Sequence, residues 1–162
     1  MILTAFTLFH VALSLVGIGS GLVVLYGFLT SKWSSSWNTV FLTTTVATSV
    51  TGFFFPFHRF LPSHAVGILS LVVLGIASLA RYRFHLAGAW RRTYVITSLI
   101  ALYFNVFVLV AQMFQKIPAL KALAPTQSEN PFKVTQLVVL VLFVLLTIRA
   151  AAKFHNDPLH AT

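Results

Sequence analysis

The stretch "TYVITSLIALYFNVFVLVAQMF", residues 93–114, carries no charged side chain across 22 positions. A helix of that length reaches about 33 Å, enough to cross the ~30 Å hydrocarbon core of a bilayer. Arg91 and Arg92 precede it and Lys116 follows it, so charge stops where the apolar run begins. It reads as a membrane span.

The composition of the whole chain agrees. Of 162 residues, 58% are hydrophobic and 8% are charged, against about 25% charged in soluble domains. A soluble fold of this size has too much surface to hide so much apolar area. Four further apolar segments flank the first one, at about residues 3–29, 37–57, 64–80 and 133–151. The first is long enough to tilt or protrude, and the second is diluted by threonine. With no water in the hydrocarbon core each span must be helical. The expected fold is therefore all-α, one domain over residues 1–162, an integral membrane bundle of five transmembrane helices. No internal repeat is visible. The N-terminus lacks the basic region and small-residue cleavage site of a secretory signal, so it reads as a retained first span.

Lysine and arginine counts set the expected orientation. Lys32, Arg81, Arg83, Arg91, Arg92, Arg149 and Lys153 share one face; Arg59, Lys116, Lys121 and Lys133 share the other. The positive-inside rule puts the richer face in the cytoplasm and the N-terminus outside. Trp33, Trp37 and Trp90 fall at that same boundary, as aromatic belts do. The net charge of +9 is spread between apolar runs, which fits span flanks rather than a nucleic-acid surface.

Several chemistries are excluded outright. There is no cysteine, and the chain has only two carboxylate side chains, Glu129 and Asp157. No acidic or basic residue lies deep in a span, as a carboxylate relay for proton-coupled transport requires. No Walker-type loop, HExxH or GxSxG occurs.

What remains is polar but mostly uncharged. Ser98, Asn105 and Gln112 recur every seven residues on one stripe of the fourth span, with Tyr103 near mid-membrane beside them. Thr44, Thr48 and Thr51 form a hydroxyl stripe on the second. Such stripes glue helices together, or face one another across a cavity. The turn "FHRFLPSH", residues 57–64, adds His58 and His64, and His10 lies roughly 12 Å below the same face. A histidine inside a span is a candidate ligand for haem or a metal, or a packed side chain with interfacial partners. Gly17 and Gly21 have the G-x-x-x-G spacing of close helix contacts, within the bundle or between copies. Arg81, Arg83, Arg91 and Arg92 form a juxtamembrane cluster that anchors topology or attracts anionic lipid headgroups. In the longest loop Pro118 opens a short helix through Leu123, an expected interfacial lid. Asn130 is the expected cap of the last span and Pro131 its first helical residue.

The stretch "FNVFVLVAQMFQKIPALKALAPTQSENPF", residues 104–132, resembles one found in small bacterial multi-span membrane proteins that have no established activity. The resemblance implies a bacterial cytoplasmic-membrane address and supplies no catalytic residues. The expected function is non-enzymatic binding or passage of a small apolar ligand or lipid through an outer-side cavity. Asn105, Gln112, Tyr103, Ser98 and Thr48 would line that cavity. The alternatives are an electron-transfer module in which His10 and His64 or His58 hold a b-type haem, with or without a quinone beside it, and an accessory or homo-oligomeric subunit docked through the first span.

Overall fold

A computed structural model describes residues 1–56 and 62–154. It is all-helical, with no strand among the described residues. The helices are α1 (Ile2–Thr30), α2 (Ser35–Gly52), α3 (Pro62–Ser78), α4 (Ala89–Lys116), α5 (Pro118–Leu123) and α6 (Asn130–Lys153). A π-helical turn, Leu79–Arg83, continues α3. Four helices are long and apolar enough to cross a membrane: α1, α3 with its π turn, α4 and α6. The hydroxyl-rich α2 has 18 residues and is not among them.

The short connection 31–34 folds α2 back against α1. α1 ends in a left-handed Ser31, with the Lys32 N–H donating to the Gly27 carbonyl at 2.8 Å. A Cβ on Gly27 would lie 2.6 Å from the Lys32 oxygen, so only glycine lets the chain fold back so tightly. Ser34 then caps α2, its hydroxyl accepting from the Trp37 N–H. At the start of α6 the cap is Glu129, and Asn130 is already helical, one residue earlier than the sequence suggests. The short helix opened by Pro118 forms with the expected bounds.

α4 is the hub, packing against α1, α2, α3, α5 and α6. Half of its apolar window (50%) is buried, against 22% for α6. The side chains that α6 turns away from the bundle, among them Val134, Leu137, Val138, Val141, Leu145 and Ile148, are aliphatic and exposed. Water would not tolerate that face; lipid does.

The core is densest toward the Arg81 end. Phe28, Phe41, Leu74, Tyr94, Val95, Leu99 and Leu102 are at most 1% exposed. Polar groups are admitted there in pairs: the Tyr94 hydroxyl donates to Asn38 Oδ1 at 2.7 Å, and Asn38 Nδ2 donates to the Ser34 carbonyl at 2.8 Å. Arg81 is buried, and its Nη2 donates to the Ser35 carbonyl (3.0 Å), Ser35 Oγ (3.1 Å) and Thr39 Oγ1 (2.8 Å). Its guanidinium also lies over the Tyr82 and Trp33 rings, 4.9 and 5.5 Å from their centroids.

The two glycines of the first span are spent inside the bundle. A Cβ on Gly17 would sit 3.3 Å from Thr45 Oγ1 and 3.4 Å from Asn105 Nδ2. One on Gly21 would sit 2.5 Å from Leu102 Cδ1 and 3.0 Å from the Phe41 ring. Gly19, between them, has nothing within 4 Å.

Candidate functional site

At the Lys116 end the helices part around a cavity of about 540 Å³, within the ~300–1,000 Å³ of small-ligand sites. α1 contributes His10 and Ser14, α2 Thr48 and Ser49, α3 His64 and Ser70, and α4 Asn105 and Gln112. Apolar walls rise between these groups, chiefly Val11, Leu15, Phe53, Phe104, Val108 and Leu109. No carboxylate lines the cavity among the described residues; Lys116 is at its rim.

The depth follows from helix geometry. Asn105 and Lys116 are eleven residues apart on α4, about 16 Å along its axis. Gly17 of α1 packs at the level of Asn105, so His10, seven residues earlier, lies about 10 Å nearer the rim. One turn beyond Gly17, on the far side from the rim, Gly21 meets Leu102 and Phe41, both fully buried. The cavity is therefore closed toward the Arg81 end by packed apolar side chains.

Behind its deep end lie polar atoms with unmet hydrogen-bonding capacity. Asn105 Nδ2 and Thr48 Oγ1 are buried and have no partner, and neither has Thr45 Oγ1 beside Asn105. Thr45 and Thr48 differ in this from other threonines of α2. Thr39, Thr44 and Thr51 each donate to the carbonyl four residues back, at 2.7–2.9 Å. Higher in the shaft, Ser49 Oγ bonds Ser70 Oγ at 3.1 Å and ties α2 to α3.

His10 is held through a hydroxyl of α2. Nδ1 lies 2.8 Å from Thr51 Oγ1, whose one proton already goes to the Ala47 carbonyl at 2.7 Å. A ring with Nδ1–H donating satisfies both bonds and would leave Nε2 as an acceptor or ligand. The ring also stands edge-on to Phe55, with centroids 5.0 Å apart. His64 is buried and tilted against Phe53 at 5.9 Å. His58 lies outside the described residues.

The sequence-based candidates therefore divide. His10, His64, Thr48, Asn105 and Gln112 line one cavity. Ser98 does not: it lies seven residues from Asn105, about 10 Å deeper and beyond the apolar seal, fully buried. Tyr103 does not either, because two residues rotate a helix position by about 200°. Its ring meets Phe143 of α6 at 5.7 Å, away from the cavity. Of the arginine cluster, Arg81 is engaged internally, while Arg83 and Arg92 are exposed. The apolar lining residues, Phe53, Phe104, Val108 and Leu109 above all, were not marked by the sequence, since cavity-facing and lipid-facing aliphatics look alike.

Beside the rim, α5 and the loop after it are held to α4 by Gln127. Its Nε2 donates to the Ala111 carbonyl at 2.7 Å, and its Oε1 accepts from Gln115 Nε2 at 3.1 Å. Glu129 closes the loop, accepting from the Thr126 hydroxyl (2.8 Å) and the Ser128 N–H (3.0 Å). The Thr126 hydroxyl, helped by the Thr126 and Ser128 N–H groups, holds the Glu129 carboxyl below the usual carboxylate range. No family model, curated protein or solved structure matches the chain.

Proposed function

We propose that this chain is a five-span protein of a bacterial cytoplasmic membrane, with α2 as its fifth span and the Arg81 end in the cytoplasm. It binds a small, largely apolar ligand in the cavity at the outer end and does no covalent chemistry on it. The carrying observation is a cavity of about 540 Å³ whose apolar walls carry a few polar side chains, His10, Thr48, Asn105 and Gln112 among them. Pockets that hold small molecules combine these features: area from the walls and orientation from a few polar groups. The sealed core below favours binding over passage, since Phe41 and Leu102 leave no gap beside Gly21. On this orientation Arg83 and Arg92 face the anionic leaflet, each worth about 1 kcal/mol of attraction.

The test is extraction of the protein purified in mild detergent, followed by mass spectrometry of what is released. Val108 lines the cavity, so Val108→Trp fills it. A stoichiometric small molecule in the wild type that is lost from Val108→Trp supports the reading; equal yields from both sink it.

A second reading keeps one specific support: His10, whose Nδ1 is bonded to Thr51 Oγ1, and His64 line the same cavity. A b-type haem held between them would give a stoichiometric Soret band in protein from haem-sufficient cells, lost in His10→Ala. A colourless preparation excludes it.

A further inference from the structure

We infer that the cavity opens sideways into the membrane between α1 and α4. Its ligand is a phospholipid that inserts one acyl chain through this cleft and leaves its phosphate at Lys116. This rests on the membrane-embedded binding function proposed above and names the ligand class and its way in.

The seam between α1 and α4 parts toward the rim. Gly17 meets Asn105 and Gly21 meets Leu102, so the two helices touch at mid-bundle. Val11, Ile18 and Leu25 recur every seven residues and share one stripe of α1. Leu25 and Ile18 are 7% and 8% exposed, but Val11, nearer the rim, is 39% exposed. On α4 the stripe that starts at Leu102 continues through Leu109 to Lys116, and it runs from fully buried through half-buried to exposed. Val11, Leu109 and Lys116 all line the cavity, as does Leu15, which is 52% exposed. The neighbouring seams are shut. His10 bonds Thr51 and Phe6 packs on Phe55 between α1 and α2, while Ser49 bonds Ser70 between α2 and α3.

Depth places this cleft in hydrocarbon. Asn105 is near the middle of the charge-free run 93–114, and so near the bilayer midplane. Leu15 and Val11 lie two and six residues from Gly17, about 3 and 9 Å from that level toward the rim. Both are inside the ~15 Å half-thickness of the hydrocarbon core, so their exposed sides meet acyl chains. Lys116, about 16 Å from the midplane, falls where lipid headgroups begin. The shaft is thus one leaflet deep, and a chain anchored at Lys116 spans it. Charge agrees: Lys116 is cationic and no carboxylate lines the cavity among the described residues, which suits a phosphate at the rim. Phe104, Val108 and Leu109 give the chain its apolar contacts.

The test is photolabelling in vesicles of phosphatidylcholine and phosphatidylglycerol. A trace of the phosphatidylglycerol carries a diazirine midway along one acyl chain, and adducts are mapped by peptide mass spectrometry. Adducts are expected on the cavity side of α4, at Val108, Leu109 or Gln112. They are expected equally on the exposed face of α6, at Leu137, Val141 or Leu145, which any surrounding lipid touches. Val108→Trp fills the shaft, and Leu15→Trp narrows the cleft from its exposed edge. Each should lose the α4 adducts and keep those on α6, and Leu15→Trp serves if Val108→Trp fails to fold. Lys116→Glu should do the same by repelling the phosphate. Labelling confined to α6 in the wild type overturns the inference, as do α4 adducts that survive any of the three substitutions. If the wild type then still releases a stoichiometric small molecule that Val108→Trp lacks, cavity binding stands and this ligand and route fall. If neither that molecule nor α4 labelling is found, the binding function falls as well.

Discussion

Gly21→Ala adds one methyl group where α1, α2 and α4 converge. The new Cβ would lie 2.5 Å from Leu102 Cδ1 and 3.0 Å from two atoms of the Phe41 ring. Relief needs a shift of about 1 Å by Leu102, yet Leu102 and Phe41 are both fully buried, so any shift presses on packed neighbours. Overpacking of this kind costs about 1–3 kcal/mol. Replacing a helical glycine by alanine returns up to about 1 kcal/mol. The net expectation is a loss of about 1–2 kcal/mol, or roughly a 5- to 30-fold rise in the unfolding constant. Gly19→Ala is the internal control, two residues away on the same helix with nothing within 4 Å; it should be neutral or slightly stabilising. Equilibrium unfolding in mixed dodecyl maltoside and SDS micelles, followed by tryptophan fluorescence, measures both. If Gly21→Ala proves as stable as Gly19→Ala, the packing of α1 against Leu102 and Phe41 is wrong, and with it the seal beneath the cavity.

Tyr94→Phe removes the donor to Asn38 Oδ1 and leaves that oxygen buried, so the same unfolding assay should show a loss of about 1–3 kcal/mol. Arg81→Ala should destabilise clearly more than Arg83→Ala, because only Arg81 is buried and bonded to Ser35 and Thr39, whereas an exposed substitution stays within about 0.5 kcal/mol. Equal effects would refute the buried clamp. For Glu129 the folded carboxyl titrates below its ordinary value of 4.5. Its contribution to loop order is thus complete above the ordinary carboxylate range and is lost as pH falls through the lowered value. The Thr126 and Ser128 amide resonances should titrate with a midpoint below 4.5, and Glu129→Gln should abolish that titration.

The bilayer made most of the fold legible. A span must be about 20 apolar residues long and end at charge or a turn, so α1, α3, α4 and α6 stand out from composition alone. Pro118 announced α5 because proline suits a first helical turn. α2 was harder to read, since hydroxyls that bond their own backbone, as in Thr39 and Thr44, dilute hydropathy without breaking the helix. The site was legible where polar residues repeat along one stripe, which is why Asn105 and Gln112 emerged together. The same stripe overreached to Ser98, since periodicity gives direction but not depth. Tyr103 failed on rotation: its neighbours in sequence are apolar on every side, and only contact with Phe143 shows where it points. Which aliphatic residues face the void depends on helix rotation, and nothing in a leucine or valine records that.

The seal formed by Phe41 and Leu102 against Gly21 has a consequence for what the cavity can register. A pocket closed at mid-bundle equilibrates with one compartment only. On the function proposed above, its occupancy would track the chemical potential of ligand on the Lys116 side and be blind to any difference across the membrane. A binder of that kind would dissipate no gradient and need no energy source.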